Sequence, residues 1–149
     1  MNTVHKIETW GNTHHPVVLD PIRIALGIFL VFKGASFINN TYSLHTIVAN
    51  QNVISAPESV LMAIVYVVAF AHLIGGTMIA LGVATRIASL IQMPIMLGAI
   101  ILSSSIQLPD STSLWLSIVV LALLVVFSVI GSGKLSVEKI LETQKTIFS

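Results

Sequence analysis

His72 is the residue of this chain best placed to do chemistry. It lies in the stretch FAHLIGGTMIALGVATR, Phe70 to Arg86, and Arg86 is the only formally charged side chain between Glu58 and Asp110. Hydrocarbon offers imidazole nitrogens no partner, so a histidine in such a run faces protein or a water-filled cavity. Lys33 is the second candidate. His72 is twelve residues from the inner end of its apolar run and Lys33 twelve residues from Pro21. At ~1.5 Å per helical residue both sit ~18 Å deep. Facing each other, they would form a polar site in the outer half of a helix bundle, suited to an anionic or carbonyl-bearing ligand such as a quinone head group. Gly75 and Gly76, one turn beyond His72, would leave room for it. The same residues also have structural readings. Lys33 is close enough to the outer end of its helix to snorkel to the interface, and His72 can bond a backbone carbonyl or a hydroxyl across the bundle. Arg23 and Arg86 sit at the inner rim, where lipid phosphates are natural partners.

Other chemistries find little support. The chain has no cysteine, which excludes thiolate nucleophiles, disulfide exchange and cysteine metal sites. Serines and five histidines are present, but no acid inside the apolar runs can orient a histidine into a hydrolytic triad. His5, His14 and His15, with Glu8 and Asp20 nearby, lack a specific ligand spacing, so a solvated tail is expected and no metal site. A net charge of +1, with no cluster of Lys and Arg, gives no reason to expect nucleic acid.

The elements that must position these residues are membrane helices. Of 149 residues 55% are hydrophobic and only 9% charged, against roughly a quarter charged in soluble domains. Four apolar runs, about 21–38, 59–84, 87–107 and 114–132, lie in or near the ~17–25 residues that cross ~30 Å of hydrocarbon. Asp20-Pro21 opens the first run, Pro57-Glu58 the second, and Pro109-Asp110 separates the third from the fourth. The second and third meet at Thr85-Arg86, which forces a tight antiparallel hairpin. Lys6, Arg23, Arg86, Lys134, Lys139 and Lys145 fall on one side if the four runs alternate, with Lys33 alone on the other. The positive-inside rule then places both termini in the cytoplasm. The fold class read from the sequence is an all-α membrane protein, a four-transmembrane-helix bundle. A polar cytoplasmic tail, 1–20, precedes the domain 21–133, and an amphipathic cytoplasmic tail, 134–149, follows it. The tail at 1–20 lacks the order of a cleaved signal peptide, so the first span is expected to act as a retained targeting signal. No internal repeat is evident.

Small and polar residues mark the packing faces at ~100° per residue. They are Arg23, Gly27 and Gly34 in the first run, and His72, Gly75, Gly76, Ile79 and Val83 in the second. Ser89, Gln92, Met96, Ala99 and Ser103 mark the third, and Ser117, Leu121, Leu124 and Ser128 the fourth. Small residues let membrane helices approach and hydroxyls bond across them. Gln92 and Ser128 come out at similar depths and are expected to bond to each other. Pro94 is expected to kink the third helix.

An arginine opening the first helix, glycines along it, and GG-x4-LG-x2-TR on the second running straight into a third is similar to the DoxX-like family of four-helix membrane proteins. The positions here are Arg23, Gly27 and Gly34, then Gly75, Gly76, Leu81, Gly82, Thr85 and Arg86, and the resemblance covers roughly Asp20 to Ser132. It implies the fold and a bacterial cytoplasmic membrane more firmly than a reaction. Some members are linked to thiosulfate:quinone oxidoreductase, others to methylamine utilisation or oxidative-stress membrane complexes. Two positions depart from the pattern. The family often has a carboxylate where this chain has His72, and a basic residue where it has Phe37, with Lys33 just before Gly34 instead. An ion pair between those positions is not carried over, and neither is thiosulfate oxidation.

The expectation is therefore a multi-pass protein of the bacterial inner membrane, in contact with lipid and with other membrane subunits or copies of itself. Its expected role is that of an accessory or assembly subunit of a membrane redox complex. A quinone or lipid head group would bind in the bundle near His72, Lys33, Gly75 and Gly76, and a quinone is the one cofactor considered. The alternatives are an autonomous quinone-linked oxidoreductase, a small transporter and an oligomeric structural protein. The sequence does not decide whether it is an enzyme.

Overall fold

Proline and glycine punctuation sets several of the helix ends. In the computed structural model, which describes residues 19–41, 57–105, 112–133 and 136–137, the chain forms four α-helices. They are α1 (Leu19–Asn39), α2 (Glu58–Leu81), α3 (Thr85–Ser105) and α4 (Thr112–Ile130). Their lengths of 21, 24, 21 and 19 residues correspond to about 28–36 Å at 1.5 Å per residue. By length and composition α1 and α2 are long and apolar enough to cross a membrane. The histidines at 5, 14 and 15, residues 42–56 between α1 and α2, and the tail beyond Val137 lie outside the described residues.

Pro57 precedes the first turn of α2, where a missing N–H costs nothing. Gly82 ends the helix with φ +71°, its N–H bonding the Ile79 carbonyl while Val83 N–H bonds that of Met78. This left-handed cap stops α2 three residues before the predicted end at Ala84, and α3 begins at once with Thr85. Gly131, at φ +88°, ends α4 in the same way.

The helices pair as two antiparallel hairpins, α1 with α2 and α3 with α4, which meet chiefly through α2 and α3. The start of α1, the end of α2, the start of α3 and the end of α4 share one end of the bundle. We call it the arginine end, because Arg23 and Arg86 lie there. Leu26 and Leu30 of α1, Ile79 of α2, Ala88 and Met96 of α3, and Val120, Leu124 and Phe127 of α4 form a common core. The buried stripe of α4 is thus Val120, Leu124 and Phe127. The predicted stripe of Ser117, Leu121, Leu124 and Ser128 is rotated from it by part of a turn.

The bundle is apolar outside as well as inside. Phe32, Val67 and Trp115 are 70%, 66% and 65% exposed, in the company of many Ile, Leu and Val side chains. Arg23, His72, Thr85, Ser89 and Gln92 are buried. Soluble monomers rarely expose apolar patches beyond a few hundred Å², so this distribution suits lipid as the solvent.

Glycines set the spacing of the first hairpin. A methyl group on Gly27 would come within 2.6 Å of the Gly76 carbonyl oxygen, and one on Gly76 within 2.8 Å of the Gly27 carbonyl oxygen. One on Gly34 would come within 2.8 Å of the Ala69 carbonyl oxygen. Backbone therefore meets backbone along the α1–α2 seam, the close approach that small residues allow between membrane helices.

Candidate functional site

His72 is buried on the inward face of α2, with 4% of its surface exposed. Its Nδ1 is 3.0 Å from the Val68 carbonyl oxygen one turn back. A carbonyl can only accept, so the proton is on Nδ1, and in the neutral ring Nε2 is an acceptor. The ring lies against Phe37 of α1, with centroids 5.5 Å apart and planes at 52°. Lys33 is exposed, and its ammonium sits 5.7 Å from the centroid of Phe29, one turn back on α1. No hydrogen bond joins Lys33 to His72 among the described residues.

Gly75 and Gly76 face two different neighbours. Gly76 is closed by Gly27, Leu30 and Val31 of α1. Beside Gly75 stands the Gln92 amide of α3, whose Nε2 a methyl group there would approach to 2.5 Å. That amide nitrogen donates to the Ala71 carbonyl oxygen at 2.7 Å. Gln92 thus bonds α2 rather than Ser128, whose hydroxyl donates to Val125 of its own helix at 2.7 Å. Both side chains found backbone carbonyls, which are everywhere in a helix and leave no trace in a spacing pattern. Alanine at Gly75 is expected to cost about 1–3 kcal/mol by overpacking, and most of that loss should vanish in Gly75→Ala/Gln92→Ala. Urea or thermal unfolding in detergent would check the coupling; additive losses would mean that the amide does not occupy this space.

Arg23 and Arg86 each close one hairpin. Arg23 is fully buried. Its Nη1 donates to the Ile79 carbonyl at 2.8 Å and to that of Ala80 at 3.4 Å, and its Nη2 lies 3.7 Å from Asp20 Oδ1. The guanidinium thus supplies donors to the last carbonyls of α2, where the helix dipole favours a cation. Gly82 is required here, because a methyl group would overlap the guanidinium and come within 2.5 Å of the Ser136 Cβ. Arg86 makes a looser version: Nη2 donates to the Ile130 carbonyl of α4 at 3.4 Å. A methyl group on Gly131 would come within 2.8 Å of its Nε. Arginine at a helix start, with a left-handed glycine at the end of its hairpin partner, occurs twice at the same end of the bundle. The two stretches do not look alike as sequences, and the duplication is a matter of geometry. Both arginines thus donate to carbonyls of a neighbouring helix, and Arg23 also faces the Asp20 carboxylate.

Two participants were missed in the sequence. Asp20, assigned to the polar tail, is the second residue of α1, fully buried and paired with Arg23. Its three-residue spacing from Arg23, with Pro21 between, was the available signal. Ser136, beyond the predicted domain, is also fully buried and donates to the Gly133 carbonyl at 2.9 Å; nothing in its local pattern marks it. Among the described residues, no group of three His, Asp or Glu side chains could hold a metal ion.

Phe37 and His72, the two positions that depart from the expected family pattern, are in contact across the α1–α2 seam. No curated protein and no solved structure matches this chain significantly. A family model does, that of DoxX, over residues 18–105. It takes in α1, α2, the tight turn and α3, with Arg23, the glycine seam, His72, Gln92 and Arg86. With more than half of its length matched and two apolar helices of spanning length, this chain is a membrane protein belonging to the DoxX family.

Proposed function

We propose that the chain is a four-span accessory or assembly subunit of a redox complex in a bacterial cytoplasmic membrane, with its arginine end and both termini on the cytoplasmic side. One observation carries the reading: three strongly polar side chains near and within the helices bond from one helix to another. Arg23 and Arg86 engage the ends of neighbouring helices and Gln92 engages Ala71, while His72 donates to Val68 within its own helix. Such a bundle is a rigid lipid-facing body whose exposed apolar faces suit neighbouring helices. α3 and α4, apolar and exposed along much of their length, complete the four spans. The asymmetry of basic residues supports the orientation.

His72 favours a second reading, a bound lipid-soluble ligand. With Nε2 as an acceptor, the group it receives must donate. A quinol hydroxyl therefore fits better than a quinone carbonyl, and Phe37 offers a face for its ring.

Purification in a mild detergent, with partners and lipids identified by mass spectrometry, tests both. The accessory role predicts stoichiometric membrane redox proteins; a partner-free, folded preparation counts against it. A co-purified quinone or quinol lost on His72→Ala would support the ligand site, and a ligand-free preparation with intact fold would remove it.

A further inference from the structure

Among the described residues, three buried polar atoms of α3 have no hydrogen-bond partner: Thr85 Oγ1, Ser89 Oγ and Gln92 Oε1. Their residues are 1%, 0% and 0% exposed and occupy successive turns of one face of α3. The hydroxyls on the outside behave differently. Thr77, which faces outward, donates to the Leu73 carbonyl at 2.7 Å, and Ser128 donates to Val125 at 2.7 Å. A hydroxyl with only lipid or side-chain carbon around it folds back onto its own helix. Ser89 does not, and Thr85, the first residue of α3, has no earlier turn of its own helix to bond. The Gln92 amide is oriented by its bond to Ala71, which directs its oxygen away from that carbonyl and leaves it in need of a donor. A buried polar group left dry is costly, and ordered water is the usual remedy in protein interiors.

We propose that this face of α3 lines a blind water column, entered at the arginine end beside Thr85 and closed above Gln92. Thr85 is the first residue of α3, adjoining the tight turn and Arg86. From Thr85 to Gln92 the column would be ~10 Å long at 1.5 Å per residue, about a third of the ~30 Å hydrocarbon thickness. The next residue on this face is Met96, packed in the core with Val120 and Leu124, which seals it. The column brings water, and with it exchangeable protons, from one membrane face to Gln92, whose amide holds the residue adjacent to His72. The proposal rests on the four-span reading of the previous subsection.

The chain has no cysteine, so single thiols can be placed at will. Thr85→Cys and Ser89→Cys report on the column, Met96→Cys on the seal, Ile91→Cys and Leu97→Cys on the outer surface, and Ser132→Cys on the arginine end. Each variant, checked for an unchanged melting temperature, is reconstituted in sealed vesicles of known orientation. Silver ion, a thiol reagent small enough for single-file water, is added from one side at a time, and free thiols are counted by mass spectrometry. We expect the Thr85 and Ser89 thiols to react at least tenfold faster than those at Met96, Ile91 and Leu97, and only from the arginine side. A Ser89 thiol as slow as that at Met96, with Ser132→Cys reactive, means a dry row and overturns the proposal. Equal rates from both sides mean a through-pore and overturn it as well. Fast reaction at Ile91 and Leu97 means that these faces are not in lipid, and removes the spanning reading and the column together.

Discussion

Arg23→Ala is expected to destabilise the protein by about 3–5 kcal/mol, the range for removing one partner of a buried pair. At roughly 2–4 °C per kcal/mol for a chain of this size, that is a fall of about 10 °C in melting temperature. The loss has three parts. The Ile79 and Ala80 carbonyls lose their donor, the end of α2 loses a cation favoured by its dipole, and the buried Asp20 carboxylate loses the guanidinium it faces. Asp20→Asn in the same chain should therefore restore part of the stability, since it removes the buried negative charge but does not replace the lost cap. The outcome also separates two roles for this arginine. A headgroup-binding arginine would make stability depend on anionic lipid, with little change in a neutral detergent. The clasp predicts the full loss in dodecyl maltoside. An Arg23→Ala melting temperature within about 2 °C of the parent, less than 1 kcal/mol on the same scale, would rule the clasp out as a structural element.

The second large effect is steric. Gly76→Leu is expected to cost 3 kcal/mol or about that, the upper part of the range for overpacking, because the new side chain meets Gly27 backbone and Leu30. Backbone cannot rotate out of the way as a side chain can, so relief requires the two helices to separate along the seam. Gly98→Ala is the matched control. It also lies in a helix, but a methyl group there has no neighbour within 4 Å, so it should be neutral or gain up to about 1 kcal/mol of helix propensity. Thermal unfolding of both variants in one detergent gives the comparison. Equal effects at the two positions would mean that the seam does not hold α1 against α2.

The sequence read depth better than direction. Apolar run lengths, Pro57, the turn at Thr85-Arg86 and the glycines of α1 and α2 placed the helices to within a few residues, because hydrophobicity and backbone punctuation are local properties. What a polar side chain does at its depth is not local. Arg23 at the rim is equally able to reach a phosphate or the end of the next helix, and only the packing of α1 on α2 selects the second. Lys33 and His72 come out at the same depth on neighbouring helices, yet they lie at different azimuths, Lys33 outward and His72 inward. Gln92 and Ser128 matched in depth but had nearer carbonyls. On α4, which is almost uniformly apolar, no contrast exists to show which side is buried, and the stripe was read part of a turn away. Asp20 escapes the sequence reading because Pro21 marks the start of the span, whereas the helix begins at Leu19 and the carboxylate pairs with Arg23 inside the fold.

The arginine clasps also constrain the order in which the protein can be made. α1 emerges first, and the carbonyls of Ile79 and Ala80 that Arg23 binds are synthesised more than fifty residues later. α3 stands in the same relation to α4 through Ile130. The smallest product in which a clasp is closed is therefore a finished hairpin. On the four-span reading, insertion one hairpin at a time is the order that closes each clasp as its helices arrive.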